Sequence, residues 1–404
     1  MKITYDKVYE LILYAITILW FIRLGHPTIF ISFVLSLIAF MLYINQSNRN
    51  KVNSKIIIFY ILSEITLFFV QVFRLQIYHL SSISIADLNF LYSEVFLLVL
   101  IFPLYEVFCA KGTIFFSRIC RIGIITLLIK TIVWFFYNFF DINIGFTVIG
   151  GDSNWIRYSL GRSLCRMTGT ALDGFIFSYL VTELFFIDDL NRKIKNICEI
   201  IFLYLFSVFV TQSRAQIIYY TFVLVIGLFY YATHAANRLI AILSSALLVT
   251  CLIIIFREGI LNFVNSFSVT SSMGDSTQIR LLEYSYFSNL WQKTSPLWGF
   301  GMINEPIIVN GIGYWLSDLG IADILYQFGY IGLIIGIIPF IYGLGKVVKI
   351  FNLESTKENL FFICMLAYYI ISMTNLNPYR NINYLVLPFY IAYMLYVPKQ
   401  TKFL

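Results

Sequence analysis

Long apolar stretches broken by short polar ones make up nearly the whole chain. Apolar runs near 8–23, 28–45, 56–73, 90–108, 122–140, 170–188, 197–212, 215–232, 239–256, 319–343, 359–374 and 382–397 each approach the ~20 residues an α-helix needs to cross a bilayer. None carries the short alternating pattern of barrel strands. The pattern predicts an all-α polytopic membrane protein of about 12 transmembrane helices, with 1–404 forming a single integral membrane domain. One interruption is far longer than the rest. Residues Arg257 to Asp318 (257–318), between the ninth and tenth predicted spans, form a large polar loop in which soluble chemistry can take place.

Composition sharpens this picture. With 60% hydrophobic and 12% charged residues, the chain holds about half the charge of a soluble globule, and its mean hydropathy is +0.83. The first span has no small-residue cleavage site after it and reads as a retained helix. The six cysteines follow neither a disulfide framework nor metal-ligand spacing, so no metal and no cofactor is expected. Nothing points to nucleic acid. Membrane lipids are the expected surroundings.

Alternating the loops from the N-terminus collects 17 cations on one side, 12 of them lysine, and ten on the other, nine of them arginine. The positive-inside rule makes the first side cytoplasmic, with both termini there and the 257–318 loop extracytoplasmic. Topology does not ask for arginine in particular. A guanidinium grips phosphate oxygens in a bidentate fork and stays charged when partly desolvated, so an arginine-rich outer face points to an anionic, phosphate-bearing ligand. Pairing with lipid headgroups or helix ends is the plainer role for any single one of them.

Four outer positions stand out. Gly150-Gly151-Asp152 marks a turn, and Arg157, Arg162 and Arg166 follow it; a helix over Trp155–Cys165 would put Arg162 and Arg166 on one face. Arg214 sits in the tight polar break VTQSRAQ, tolerated at membrane depth where it lines protein or a wet cavity. Asp275-Ser276 predicts a helix start, and a helix over 277–292 would put Arg280, Tyr284, Phe287 and Trp291 on one face near the outer interface. Pro296, Gly299 and Gly301 then predict a turn, with Asp318 at the head of the tenth span and Asp323 about one turn deeper. Within spans, Glu64 and Lys130 are placed to pair with each other, and charges of this kind also keep a proton-coupled transporter open.

The late outer loop, with Arg280, Trp291, Pro296 and the Gly299-Phe300-Gly301 turn followed by SDLGIADILYQFGYIG, resembles the Wzy-type polysaccharide polymerase and O-antigen ligase superfamily of bacterial membrane proteins. The resemblance implies a GT-C-like glycosyltransferase of the bacterial cytoplasmic (inner) membrane. Its substrate would be an undecaprenyl-diphosphate-linked glycan, polymerised at the outer face for O-antigen, capsule or exopolysaccharide biosynthesis. A chain-length regulator and a flippase are the implied partners. Arg280 and Asp318 would be catalytic, and Arg214, Arg157, Arg162 and Arg166 would bind the diphosphate, with Asp275, Glu305, Asp323 and Trp291 as further candidates. Ligases of the superfamily carry a histidine near the end of the large loop. This chain has only His26, His79 and His234, with Asp318 in the approximate place, which favours polymerase over ligase. A lipid-linked oligosaccharide flippase or transporter is the alternative from another class.

Overall fold

The computed structural model describes the chain except residues 1–4, 25, 47–49, 51, 53–54, 79–93, 160–161, 170–171, 236, 256, 269–274, 302–305, 310, 352–355, 376–384 and 401–404. It is about 80% helical, without a large sheet. In chain order come α1 (Tyr5–Ile22), α2 (His26–Asn45), α3 (Lys55–Tyr78), α4 (Ile101–Lys111) and α5 (Thr113–Phe140). The hairpin β1 (Gly151–Ser159) and β2 (Arg162–Met167) follows, then α6 (Leu172–Phe186), α7 (Leu190–Leu205), α8 (Arg214–Thr233) and α9 (Arg238–Ile255). The long loop holds α10 (Arg257–Asn265), α11 (Asp275–Thr294) and a small hairpin, β3 (Ile307–Val309) and β4 (Ile312–Tyr314). The chain then forms α12 (Ile321–Phe351), α13 (Lys357–Ser372) and α14 (Val386–Gln400).

Helices α6 and α13 are the middle of the bundle. From Leu172 to Glu183 every residue of α6 is buried, as is the run Asn359–Leu366 of α13. A helix apolar on all sides is stable only where neighbours surround it. Helix α13 packs on α6 and α8, α14 on α4, α1 on α2 and α5, and α12 on α3. Helix α5 shows the outer layer: Ile124, Leu127, Val133 and Trp134 face inward, while Ile125, Leu128, Ile129 and Ile132 are exposed. Apolar residues on both faces suit a helix with protein on one side and lipid on the other.

The span count is where the structure departs from the hydropathy pattern. Among the described residues, four helices are long and apolar enough to cross a membrane: Pro27–Asn45, Thr113–Phe140, Arg214–Thr233 and Ile321–Phe351. This fits an all-α membrane protein but not twelve spans. Length accounts for part of the difference: α6 has 15 residues, α7 and α13 have 16 each, and α4 has 11, against the ~20 needed to cross the hydrocarbon core. Buried helices need not match that core by themselves, so an apolar run is not always a full crossing.

The two ends of the bundle differ in how charge is treated. At the end holding the starts of α1, α5 and α13, Glu10 pairs with Lys111 and, at 2.9 Å, with Arg118, and Glu183 pairs with Lys357. A cavity of about 240 Å³ at that end includes Arg121, Arg192, Lys195 and Asn196 but none of the predicted site residues. Lys130 does not pair with Glu64 as the sequence predicts. Its ammonium points to the Thr168 carbonyl at 3.4 Å and interacts with Asp173, because Lys130 lies near the end of α5 that meets the β1–β2 hairpin.

Candidate functional site

At the other end, the long loop is fastened to α12 through its glycines. The Phe300 and Gly301 N–H groups donate to the Tyr326 and Gln327 carbonyls, both at 3.0 Å, and those of Tyr330 and Ile331 return to Pro296 and Leu297. Helix α12 is broken for this purpose at Gly329, whose φ of 66° and ψ of −166° leave the helical region. From α3, Arg74 donates to the Gly299 carbonyl at 2.9 Å and Gln71 to that of Trp298 at 3.0 Å. The loop is thus a built platform.

Helix α11 forms over Asp275–Thr294, where the cap signal and spacing predict a helix. Glu283, Phe287 and Trp291 are its buried line, with Trp291 packed edge-on to Tyr330 at 5.3 Å between ring centres. Trp291 therefore anchors the helix, although its indole N–H has no hydrogen-bond partner. Arg280 and Glu283 are three residues apart and share one side of α11. The turn Leu316–Leu319, which contains Asp318, lies against that side. Two bonds hold it there: the Trp315 N–H donates to Glu283 Oε1 at 2.8 Å, and the Tyr284 hydroxyl donates to the Leu319 carbonyl at 3.2 Å.

The segment carrying Arg157, Arg162 and Arg166 is not the predicted helix. It is an antiparallel hairpin with Asp152 opposite Arg166, Arg157 opposite Leu164 and a register break between Asp152 and Ile156. Alternating Trp155, Arg157 and Ile156, Tyr158 fit a strand better than a helix. Asn138 of α5 brackets β2 by accepting from the Cys165 N–H at 2.6 Å and donating to its carbonyl at 3.2 Å. Arg166 stacks on Trp155 at 3.3 Å, and its Nε is buried without a partner. Arg162 is exposed and lies over Phe139 at 5.6 Å.

Between α7 and α8 the chain passes through one wide π turn, Phe206–Val210, and reverses in three residues. Ser213 caps α8 by accepting from the Gln216 N–H at 3.3 Å. Gln212, with φ of 50°, takes the left-handed conformation, and its carbonyl accepts from Arg157 Nη1 at 2.7 Å. Its side-chain amide is buried with neither end hydrogen-bonded. Arg214 donates to the Ser266 carbonyl and, at 3.2 Å, to the Ser266 hydroxyl, and it lies over Phe267 at 4.5 Å.

Three segments thereby link four of the predicted arginines electrostatically: Arg157, Arg214 and Arg280 act on one another, and Arg166 joins them through Arg157. Burial lowers the pKa of Arg157, and the charges of Arg214 and Arg280 lower it further. Arg166 falls to about 10 through burial and then Arg157, against the opposing pull of Asp318 and Asp152. No carboxylate of the described residues stands within ion-pair distance of Arg157, Arg166 or Arg280. Arg162 is not drawn into this group. Glu305 lies outside the described residues, and Asp275 is the first residue of α11.

Asp318 sits beside Arg280 and Arg166, as a carboxylate in the site would, but its pKa moves opposite to the direction its arginine neighbours favour. Burial raises it, more than Arg280 and Arg166 lower it, and Asp323 adds to the rise. Nor does Asp318 cap the next helix. Helix α12 begins at Ile321, whose N–H goes to the Met373 carbonyl at 2.8 Å. Asp323 is fully buried and bonded to Gln327 one turn along.

Glu283 and Gln212 escape a reading by sequence. Glu283 is 1% exposed, and its Oε2 has no partner. Burial lifts its pKa to about 7; the Trp315 N–H opposes that rise, Asp318 adds to it and Arg280 opposes it. One signal was available: Glu283 precedes Phe287 and Trp291 at four-residue steps, which puts a carboxylate in line with an aromatic stripe. Gln212 carried no such signal. No protein-family model matches this chain, and no characterised protein matches its sequence.

Proposed function

We propose that the chain is a membrane glycosyltransferase that polymerises lipid-diphosphate-linked oligosaccharide repeat units, with the arginine group as the diphosphate site. One observation carries this reading: Arg157, Arg166, Arg214 and Arg280 come together from the hairpin, the α7–α8 break and the long loop, and among the described residues no carboxylate stands within ion-pair distance of Arg157, Arg166 or Arg280. Clustered guanidinium groups repel one another, and that cost is offset when an anion with several oxygens binds among them. A lipid diphosphate has enough oxygens to engage several forks.

The chemistry follows from the charge that develops. As the glycosidic bond to the diphosphate breaks, its electron pair passes to the leaving oxygen, and arginines around that oxygen favour the transition state over the bound substrate. The resemblance of the loop to polysaccharide polymerases, and the lack of a histidine near its end, place polymerase ahead of ligase. In this reading the site faces outward from the bacterial cytoplasmic membrane and both termini lie inside.

The test is loss of polymer. Deleting the chain in its native host should leave lipid-linked single repeat units without long polymer, and Arg280→Lys should restore little of it, since charge is kept but the fork is lost. Normal polymer in the deletion strain would overturn the proposal.

A further inference from the structure

Glu283 has no assigned task in the diphosphate site, yet its surroundings are built for one. It is buried in the seam between α11 and the Leu316–Leu319 turn, on the same side of the helix as Arg280. One oxygen accepts from the Trp315 N–H at 2.8 Å, which fixes the carboxyl plane, while the other has no hydrogen-bond partner among the described residues. Buried carboxyl oxygens are costly to leave unpaired. A ligand hydroxyl donating to that oxygen would remove the cost.

On the reading of the chain as a polymerase, we propose that Glu283 is the catalytic base that receives the proton of the acceptor sugar hydroxyl. In that step the acceptor oxygen forms a bond to the anomeric carbon of the donor glycan. The bond from that carbon to the diphosphate breaks, its electron pair leaving with the diphosphate oxygen. The acceptor proton moves to Glu283 Oε2 and is later released to water.

The arrangement divides the two carboxylates. Asp318 interacts with two of the cations, Arg280 from α11 and Arg166 from β2, so in this reading it orders the guanidinium groups around the leaving diphosphate. Glu283 faces Asp318 from the turn and Arg280 from its own helix, with Tyr284 beside it; Asp323 of α12 reaches the pair through Asp318. A neighbouring negative charge and burial both make a carboxylate a better proton acceptor, and a group titrating near neutrality suits a base at physiological pH. Diphosphate bound at Arg280 would weaken the pull by which that cation opposes proton uptake by Glu283. Donor binding therefore primes the base.

The deciding experiment compares Glu283→Gln and Glu283→Asp in membranes supplied with lipid-diphosphate-linked repeat units, beside a deletion control, with membrane level and thermal stability checked for each. Glutamine keeps an acceptor for the Trp315 N–H but cannot take a proton. Polymer formation should fall by about 100-fold or more, while aspartate should retain measurable activity with the acid limb of its pH profile displaced. Wild-type rates in Glu283→Gln, or equal losses in both variants, would overturn the assignment while leaving the polymerase reading in place. Normal polymer without the chain at all would overturn both.

Discussion

Gly299 and Gly329 meet backbone to backbone: a methyl group added to Gly329 would stand 2.5 Å from the Gly299 nitrogen and 2.3 Å from the Leu297 carbonyl oxygen. Both glycines have positive φ, 72° and 66°. The close approach lets the turn at Pro296–Gly301 bond into the break of α12, and so sets where α11 and its Arg280 stand relative to the bundle.

Alanine at either glycine meets backbone on one side and a disfavoured φ on the other. Gly329→Ala should therefore lower the thermal midpoint of the detergent-solubilised protein strongly, with about 1–3 kcal/mol from the backbone conformation alone. Gly311→Ala is the control, since Gly311 has φ of 80° but no heavy atom within 4 Å of its added carbon. Equal shifts for the two variants would show that the close approach contributes nothing.

The arginine group makes a second, opposite stability prediction. Arg280 has no ion-pair partner among the described residues and adds to the repulsion on Arg157. Arg280→Ala should leave the ligand-free protein as stable as wild type or slightly more so, the expected trade at a binding site. Inorganic pyrophosphate at low ionic strength should raise the midpoint of the wild type more than that of the variant. If both rise equally, Arg280 does not bind the anion.

Much of this was legible beforehand, and the remainder was not, for physical reasons. The helix at Asp275–Thr294 could be read because its cap and its aromatic spacing are local. The hairpin at 151–167 could be taken for a helix because Arg162 and Arg166, four residues apart, share a face in a helix and in a strand alike, while the aromatic and β-branched Trp155, Ile156 and Tyr158 were the better guide. The glycines of the loop signalled a turn, but nothing in the sequence says that Gly299 touches a residue 30 positions later. Glu283 looks like a solvated charge on a polar helix; its burial is imposed by the Trp315 N–H, far along the chain. Part of the span count was lost at α6 and α13, where an apolar helix enclosed by others is shorter than a bilayer.

Glu283 also gives the seam between α11 and the Leu316–Leu319 turn a pH dependence. Its folded pKa, about 7, lies above the ordinary carboxyl value of 4.5, so the folded seam binds its proton more tightly than the open chain. The stabilisation is complete below about 4.5 and is lost as pH rises through about 7. Hydrogen exchange at the Trp315 N–H should accordingly show more frequent opening at pH 8 than at pH 5, after correction for intrinsic exchange. In Glu283→Gln that difference should vanish. A difference of unchanged size in the variant would assign the effect to Asp318 instead.

Gln212 combines two costs that stability alone would remove. Its φ of 50° is disfavoured for a side chain larger than glycine, and both ends of its amide are buried without partners among the described residues, beside the bond from Arg157 to its carbonyl. Strain and unpaired groups in one residue occur where a ligand is to be met. Gln212→Gly relieves both costs and Gln212→Ala only the second, so glycine should exceed alanine in stability by about 1 kcal/mol. If the amide contacts the glycan beside the diphosphate, both variants should lose polymer formation to a similar extent despite their different stabilities. Wild-type polymer yield in the two variants would mean that the amide meets no substrate, and that the left-handed turn serves only to aim the Gln212 carbonyl at Arg157.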